Sequence, residues 1–234
     1  MAKKELLKLE NVTRNFTEGG KTVKALRKTN FSIRAGEFVA VVGPSGSGKS
    51  TFLTVAGGLQ NPTSGTVTIN GIDITNLSLK DLSKVRLNNI GFILQASNLV
   101  PFLSVKKQLL FVDTVMKRQT DEGVIKSLFR SLGIGKLGDK YPSDLSGGER
   151  QRAAIAKVLY GSSNLILADE PTASLDTQKA FEVVKLLADE THERGKATIM
   201  VTHDERLLKY CDAVYEMRDG ELKRRRKPSS SSKA

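Results

Sequence analysis

The chain has 234 residues, of which 39% are hydrophobic and 26% charged, enough apolar side chains for a packed core and too many for global disorder. One cysteine, Cys211, and two histidines, His192 and His203, exclude an intrachain disulfide and a Cys- or His-rich metal site, and no apolar run approaches the roughly 20 residues of a membrane helix. The formal net charge of +12 suits nucleic acid, an anionic membrane surface or a phosphorylated ligand, and six of the basic residues fall in the last twelve positions with no acid among them.

Residues 6 to 42 read as short strands joined by turns. Leu7, Leu9 and Val12 alternate with polar neighbours, Glu18-Gly19-Gly20-Lys21 is a turn signal, and Val23 to Ala25 restart a strand. Phe31 and Ile33 alternate again. Phe38-Val39-Ala40-Val41-Val42 is a continuous apolar run, the pattern of a strand buried on both faces. Three glycines between Gly43 and Gly48 break it, and a helix is predicted from Lys49 to about Gly57. Thr66 to Ile69, Asn70-Gly71 and Ile72 form a predicted hairpin.

From about Ser78 to Gly161 the pattern is mostly helical. Leu109, Val112, Val115 and Met116 recur at helical spacing, as do Ile125, Leu128, Phe129 and Leu132. Strand signals return at Leu165 to Ala168 and Thr198 to Val201, with a helical stretch from Gln178 to about Arg194 between them. That alternation implies a parallel sheet with helices on both sides. Val214 to Met217, Asp219-Gly220 and Glu221-Leu222 suggest a terminal hairpin. Residues 223–234 read as a basic, Ser-rich disordered tail, able to rest on anionic lipid or to lie solvated.

Chemistry concentrates in a few places. Gly43-Pro44-Ser45-Gly46-Ser47-Gly48-Lys49-Ser50, followed by Thr51, fits the phosphate-loop pattern in full. Its glycines let backbone N–H groups turn inward, and the helix start adds its positive dipole end. Lys49 is placed to reach the β- and γ-phosphates of a nucleotide and Ser50 to coordinate Mg²⁺. Asp169 ends an apolar strand, where a carboxylate binds Mg²⁺, and Glu170 follows as a candidate general base. His203 lies just past a third strand. In a parallel sheet these strand ends meet at one edge, which puts His203 in reach of the γ-phosphate. A polar strand exit and a surface histidine are the plainer alternatives, and His192 takes the second of these.

A second glycine-rich helix start, Leu145-Ser146-Gly147-Gly148-Glu149-Arg150-Gln151, precedes Ala153 to Ala156 and reads as another anion-binding N-terminus. This segment resembles the signature of ATP-binding subunits of ABC transporters, and the resemblance extends from Leu6 to Leu222. It implies an α/β P-loop NTPase with a mainly parallel core sheet, an N-terminal antiparallel β subdomain and an inserted helical subdomain at about 96–161. It also implies the cofactors ATP and Mg²⁺, and a homodimer in which Ser146, Gly147, Gly148 and Glu149 close over ATP held by the partner's phosphate loop. Gln95 matches the glutamine that links metal and attacking water to the helical subdomain. Asp176, in Ser174-Leu175-Asp176, matches a dimer-interface loop, and Phe16 aligns with the aromatic that stacks on adenine, an aromatic core residue being its other reading.

The opening Leu9-Glu10-Asn11-Val12 and the blocks 43–51 and 167–172 look like the MacB/LolD type. Residues 91–103 and 202–207 are closer to the haem-efflux ATPases called HrtA. The resemblance thus implies a peripheral ATPase on the cytoplasmic face of the membrane that powers a MacB- or HrtB-like permease. The implied transporter is an exporter of haem, another hydrophobic or toxic compound, or an antimicrobial peptide, with lipoprotein release as the alternative. Leu99, Val100, Pro101, Phe102 and Leu103 are the candidate docking residues, if they do not instead pack inside the helical subdomain. A soluble ABC ATPase usually adds a coiled coil or second cassette. No specific nucleic-acid partner is expected, because no recognition motif is present.

Overall fold

The computed structural model describes residues 3–161 and 163–225. In chain order the strands are β1 (Glu5–Glu18), β2 (Lys21–Arg34), β3 (Glu37–Val42), β4 (Ser64–Ile69), β5 (Ile72–Asp73), β6 (Ile90–Ile93), β7 (Leu165–Asp169), β8 (Ala197–Val201), β9 (Ala213–Arg218) and β10 (Glu221–Arg224). The helices are α1 (Lys49–Ala56), α2 (Leu79–Asn89), α3 (Val105–Met116), α4 (Glu122–Ser131), α5 (Gly147–Tyr160) and α6 (Thr177–Arg194).

Two sheets result. One is antiparallel in the order β2-β1-β4-β5; the other runs β10-β9-β3-β8-β7-β6 and is parallel except for the β9–β10 hairpin. The N-terminal region corrects the sequence expectation. The short strands are two fourteen-residue strands, paired from end to end with register shifts between Glu5 and Leu7 and between Leu9 and Asn15. Leu7 and Leu9 are buried, Glu10 and Asn11 exposed and Val12 buried again, so the two-residue alternation breaks in sequence while the ladder continues. Asn11, at φ 53°, sits within this stretch.

The central sheet explains the unbroken apolar runs. Val39 and Val41 of β3, Leu165 and Leu167 of β7, and Ile199 and Val201 of β8 join the core shared with the antiparallel sheet and α1. Their alternates Phe38, Ile166, Ala168 and Met200 join a second core with α3, α4, α5 and α6. Each strand is therefore apolar on both faces, as a parallel sheet covered on both sides requires. Phe31 and Phe52 meet edge to face with ring centroids 5.3 Å apart in the first core.

The helical region is tied together by a buried polar network. Asp113 of α3 accepts from the Tyr160 hydroxyl at 2.6 Å and from Arg118 Nε at 2.7 Å, and the Asp121 backbone N–H donates to the same hydroxyl at 3.1 Å. Burial raises the Asp113 carboxyl pKa, but the Tyr160 and Arg118 hydrogen bonds outweigh it and leave the group below its ordinary range. Burial also pushes the Cys211 thiol up to about 12, so it stays protonated.

At the C-terminus, β10 runs two residues past the boundary expected at Leu222, and Arg225 Nη1 lies 2.8 Å from Glu205 Oε1. The serine run and the rest of the expected tail, 226–234, lie outside the described residues.

Candidate nucleotide site

The loop after β3 can be built only with glycine at two points. Gly43 has φ 150°, and a Cβ there would sit 2.1 Å from the Met217 carbonyl oxygen of β9. Gly48 has φ 103°, and its Cβ would fall 2.2 Å from the Ala25 carbonyl oxygen of β2. The loop is thus pressed between β9 and β2. Gly48 opens α1 in a left-handed conformation, with no side-chain cap and no acid in the first turn. That helix end keeps its positive dipole for an outside anion. Lys49 Nζ donates to the carbonyls of Gly43 at 2.8 Å and Pro44 at 2.7 Å, across the mouth of the loop.

A cleft of about 510 Å³ opens over this loop. Gly43, Ser45, Gly46, Gly48, Lys49, Ser50 and Thr51 line it from one side, and Gln95, Asp169, Glu170 and His203 from the other. The second group leaves the C-terminal ends of β6, β7 and β8, which stand in adjacent parallel positions beside β3. One sheet edge therefore gathers side chains separated by more than a hundred positions. Glu170 is held at φ 49° by its N–H bond to the Val201 carbonyl, 3.0 Å long. Its buried Oε2 lies 2.9 Å from His203 Nδ1, yet no aligned hydrogen bond within the protein satisfies it. His203 itself is 74% exposed, so the pair faces the cleft.

The second glycine-rich helix start is built differently. Ser146 Oγ accepts from Glu149 N at 3.2 Å, and Glu149 Oε2 accepts from Ser146 N at 2.8 Å, a closed capping box at the head of α5. The Ser146 backbone N–H, then its side chain, hold the Glu149 carboxyl below its ordinary range. Gly148 packs against the neighbouring loop, where an added Cβ would meet the Ser174 carbonyl at 2.9 Å. Asp176 caps α6 by accepting from Lys179 N at 2.8 Å. None of Ser146, Gly147, Gly148, Glu149 or Asp176 is among the residues lining the cleft.

Comparison with known proteins decides the family. The family model for ABC transporters matches residues 26–173. A Staphylococcus haemolyticus protein named putative hemin import ATP-binding protein HrtA is 42% identical over 220 residues, covering 92% of this chain and 98% of the relative. This chain belongs to the ABC transporter ATPase family. Family members bind ATP and hydrolyse it. A dimeric ATP-binding cassette, solved in a post-hydrolysis state with ADP and Pi, superposes with a TM-score of 0.87 at 33% identity, covering 95% of this chain and all of that one. CbiO1 of Clostridium perfringens, part of an ABC transporter complex, superposes at 0.79 with 32% identity, covering 94% of this chain and 87% of its own.

Within this ABC fold the expected site residues divide. Most of the phosphate loop, Gln95, Asp169, Glu170 and His203 come together at one cleft, while Pro44 and the buried Ser47 are not among its lining residues. Phe16 is not among the cleft's lining residues. It pairs with Val23 across the β1–β2 ladder and carries the Arg14 guanidinium 4.6 Å above its ring centre. His192 is remote from the site and contacts Asp212 at 3.0 Å.

The apolar segment after Gln95 divides as well. Leu99 packs on the helical core, Val100 and Leu103 are half-buried, and Phe102 is 77% exposed. Sequence reasoning missed Gln108, which is 1% exposed and bonds three backbone groups of this segment. Its signal was a polar residue inside the apolar stripe of α3, between Val105 and Leu109.

Proposed function

We propose that two copies of this chain sandwich ATP between the cleft of one and the α5 head of the other, and that hydrolysis powers a hemin-exporting membrane permease. The observation that carries the reading is the separation just described. The chain has a complete phosphate loop, while its signature residues do not line the cleft that loop forms. A second copy would bring them together, and a dimeric ADP-bound cassette of the same fold supports that arrangement.

In this reading the loop N–H groups, the α1 dipole and Lys49 bind the phosphates. Ser50 and Asp169 would hold Mg²⁺, with Gln95 lining the same cleft. Among the described residues no cluster of three or more His, Cys, Asp or Glu side chains forms a metal cage by itself. When bound, the ion neutralises charge on the transferring phosphate. The Glu170 carboxylate, which lines the cleft, takes the proton as water attacks the γ-phosphorus; ADP departs with the β-phosphate oxygen that carried the bond. His203, 2.9 Å from the buried Oε2, steadies the carboxylate and contacts the γ-phosphate.

Glu170→Gln keeps size and removes the base. Turnover is expected to fall about 100-fold or more while ATP still binds, and ATP-dependent dimers accumulate on size-exclusion chromatography. Native turnover in that variant would remove Glu170 from the role.

Cargo and partner follow from the relatives. Their name specifies hemin, and at 42% identity it supports a hemin-class cargo here. In this reading the cargo path belongs to a permease to which the chain attaches from the cytoplasmic face; among the described residues no helix is long and apolar enough to cross a membrane. Pro101 and Phe102 supply the exposed docking contacts, with Leu99, Val100 and Leu103 shaping the loop behind them. Phe102→Ala is expected to leave the thermal midpoint within about 1 °C and to cost about tenfold in permease capture, the scale of one apolar anchor. The direction proposed is export, against the word import in the relatives' name. Deleting the chain should then sensitise cells to hemin, and hemin resistance in the deletion would assign import instead.

A further inference from the structure

The segment between the cleft and the docking residues is held by its backbone, and the groups that hold it come from two helices. Gln151 of α5 is 3% exposed and points its amide at the Leu94 carbonyl, 3.4 Å away, directly before Gln95. Six residues further along α5, Lys157 Nζ donates to the Asn98 carbonyl at 2.8 Å. Asn98 stands at φ 44°, a left-handed position that Asn tolerates better than most residues. Beyond it, Gln108 of α3 donates to the carbonyls of Val100 at 2.8 Å and Leu103 at 2.9 Å and accepts from Val100 N at 3.0 Å.

The three attachments differ in what they fix. Gln108 satisfies the 100–103 turn from within the helical core, and its own helix follows that turn directly. It shapes the turn locally. Gln151 and Lys157 both join the segment to the helix whose first residues form the signature, Gln151 before Gln95 and Lys157 at Asn98, next to the docking residues. From Ser146 to Lys157 is about 16 Å along a single helix. That helix is rigid over its length, being buried along Ala153 to Ala156 and locked at its end by Tyr160 and Asp113. Any tilt of the α5 head therefore displaces Lys157, and Lys157 carries the Asn98 carbonyl with it. Burial also holds the Lys157 ammonium below its ordinary pKa range, the mark of a cation packed into the protein surface instead of waving in solvent.

We infer that Lys157 is a positioning residue that passes movement of the signature helix to the docking segment 98–103. The inference rests on the docking reading above for its meaning in transport, but the coupling itself is a property of the isolated chain. It concerns the mechanical link alone, since Lys157 does not line the cleft and lies eleven residues past Ser146.

The test is hydrogen exchange of the peptide covering 96–103 in the purified chain, with and without a non-hydrolysable ATP analogue and Mg²⁺. In the wild type and in Lys157→Arg, nucleotide is expected to change exchange in this peptide several-fold. In Lys157→Met, which keeps the stem and removes the donor, that change is expected to vanish. Nucleotide affinity and the dimer fraction, measured on the same samples, are expected to stay at the wild-type values; a merely structural role would move them. A nucleotide response that survives in Lys157→Met overturns the inference, as does a wild type with no response at 96–103. The docking reading fails separately: a permease still captured in full by Phe102→Ala removes it and leaves the exchange result standing.

Discussion

The two glycine-rich helix starts, α1 and α5, share a sequence style and differ in structure. The head of α1 has no side-chain cap, no acid in its first turn, and a lysine lying across its mouth. The head of α5 is closed on itself, with Ser146 and Glu149 exchanging hydrogen bonds and a carboxylate at the positive end of the dipole. An anion arriving at α1 finds donors waiting. One arriving at α5 finds the cap already filled. The sequence reading of two anion-binding helix starts is therefore sharpened: α1 leaves its N-terminal donors without a side-chain cap, whereas α5 has its cap filled, and in the proposed dimer α5 closes as a lid on a phosphate that the partner's loop holds.

The largest consequence concerns α1. Lys49→Ala removes a cation that makes charge-assisted hydrogen bonds, each worth about 1.5–3 kcal/mol to a charged partner. The ATP dissociation constant of the monomer should rise roughly 10- to 100-fold by titration calorimetry. Unchanged affinity would erase the contrast between the two helix heads from the α1 side.

A smaller and separable effect is expected at the other head. Ser146→Ala deletes an N-cap, which costs about 1 kcal/mol and so about 2–4 °C in thermal midpoint for a chain of this size. Because Ser146 lies off the cleft, ATP affinity of the monomer should stay within about twofold of the wild type. ATP-driven dimerisation, followed by light scattering, should weaken. A matching loss of monomer affinity would place Ser146 at the nucleotide of its own chain and break the comparison.

These contrasts were only partly legible in the sequence. The phosphate loop was, because its glycines and Lys49 lie in one short segment, 43–49, and their spacing is itself the chemistry. Asp169, Glu170 and His203 were legible through strand ends, since parallel topology sends those ends to one edge. The long strands β1 and β2 were not, because register shifts at residues 9–15 scramble a two-residue period without ending the ladder. The closed box at α5 was hidden for another reason. Ser-Gly-Gly-Glu fits both an open anion site and a capping box, and only the side-chain geometry tells which donors are already taken. Gln108 and Lys157 act on backbone carbonyls, which every residue carries, so no pairing of residue types announces them.

Glu149→Gln isolates the remaining difference between the heads. Glutamine keeps the oxygen that accepts from Ser146 N, so the box survives and stability should change little. The charge is lost. Glu149 sits below its ordinary pKa range and is ionised near neutrality, so its carboxylate faces any phosphate brought up by a second copy. Removing that charge should tighten ATP-driven dimerisation a few-fold at low salt, with the gain fading as ionic strength rises. The acid behaviour gives a second reading of the same group. A depressed folded pKa contributes stability above the unfolded value and loses it as pH falls through the folded one, so the variant should lack that part of the acid limb. If Glu149→Gln instead weakens the dimer as Ser146→Ala does, with no salt dependence, the carboxylate belongs to the shape of the lid and does not oppose the phosphate beneath it.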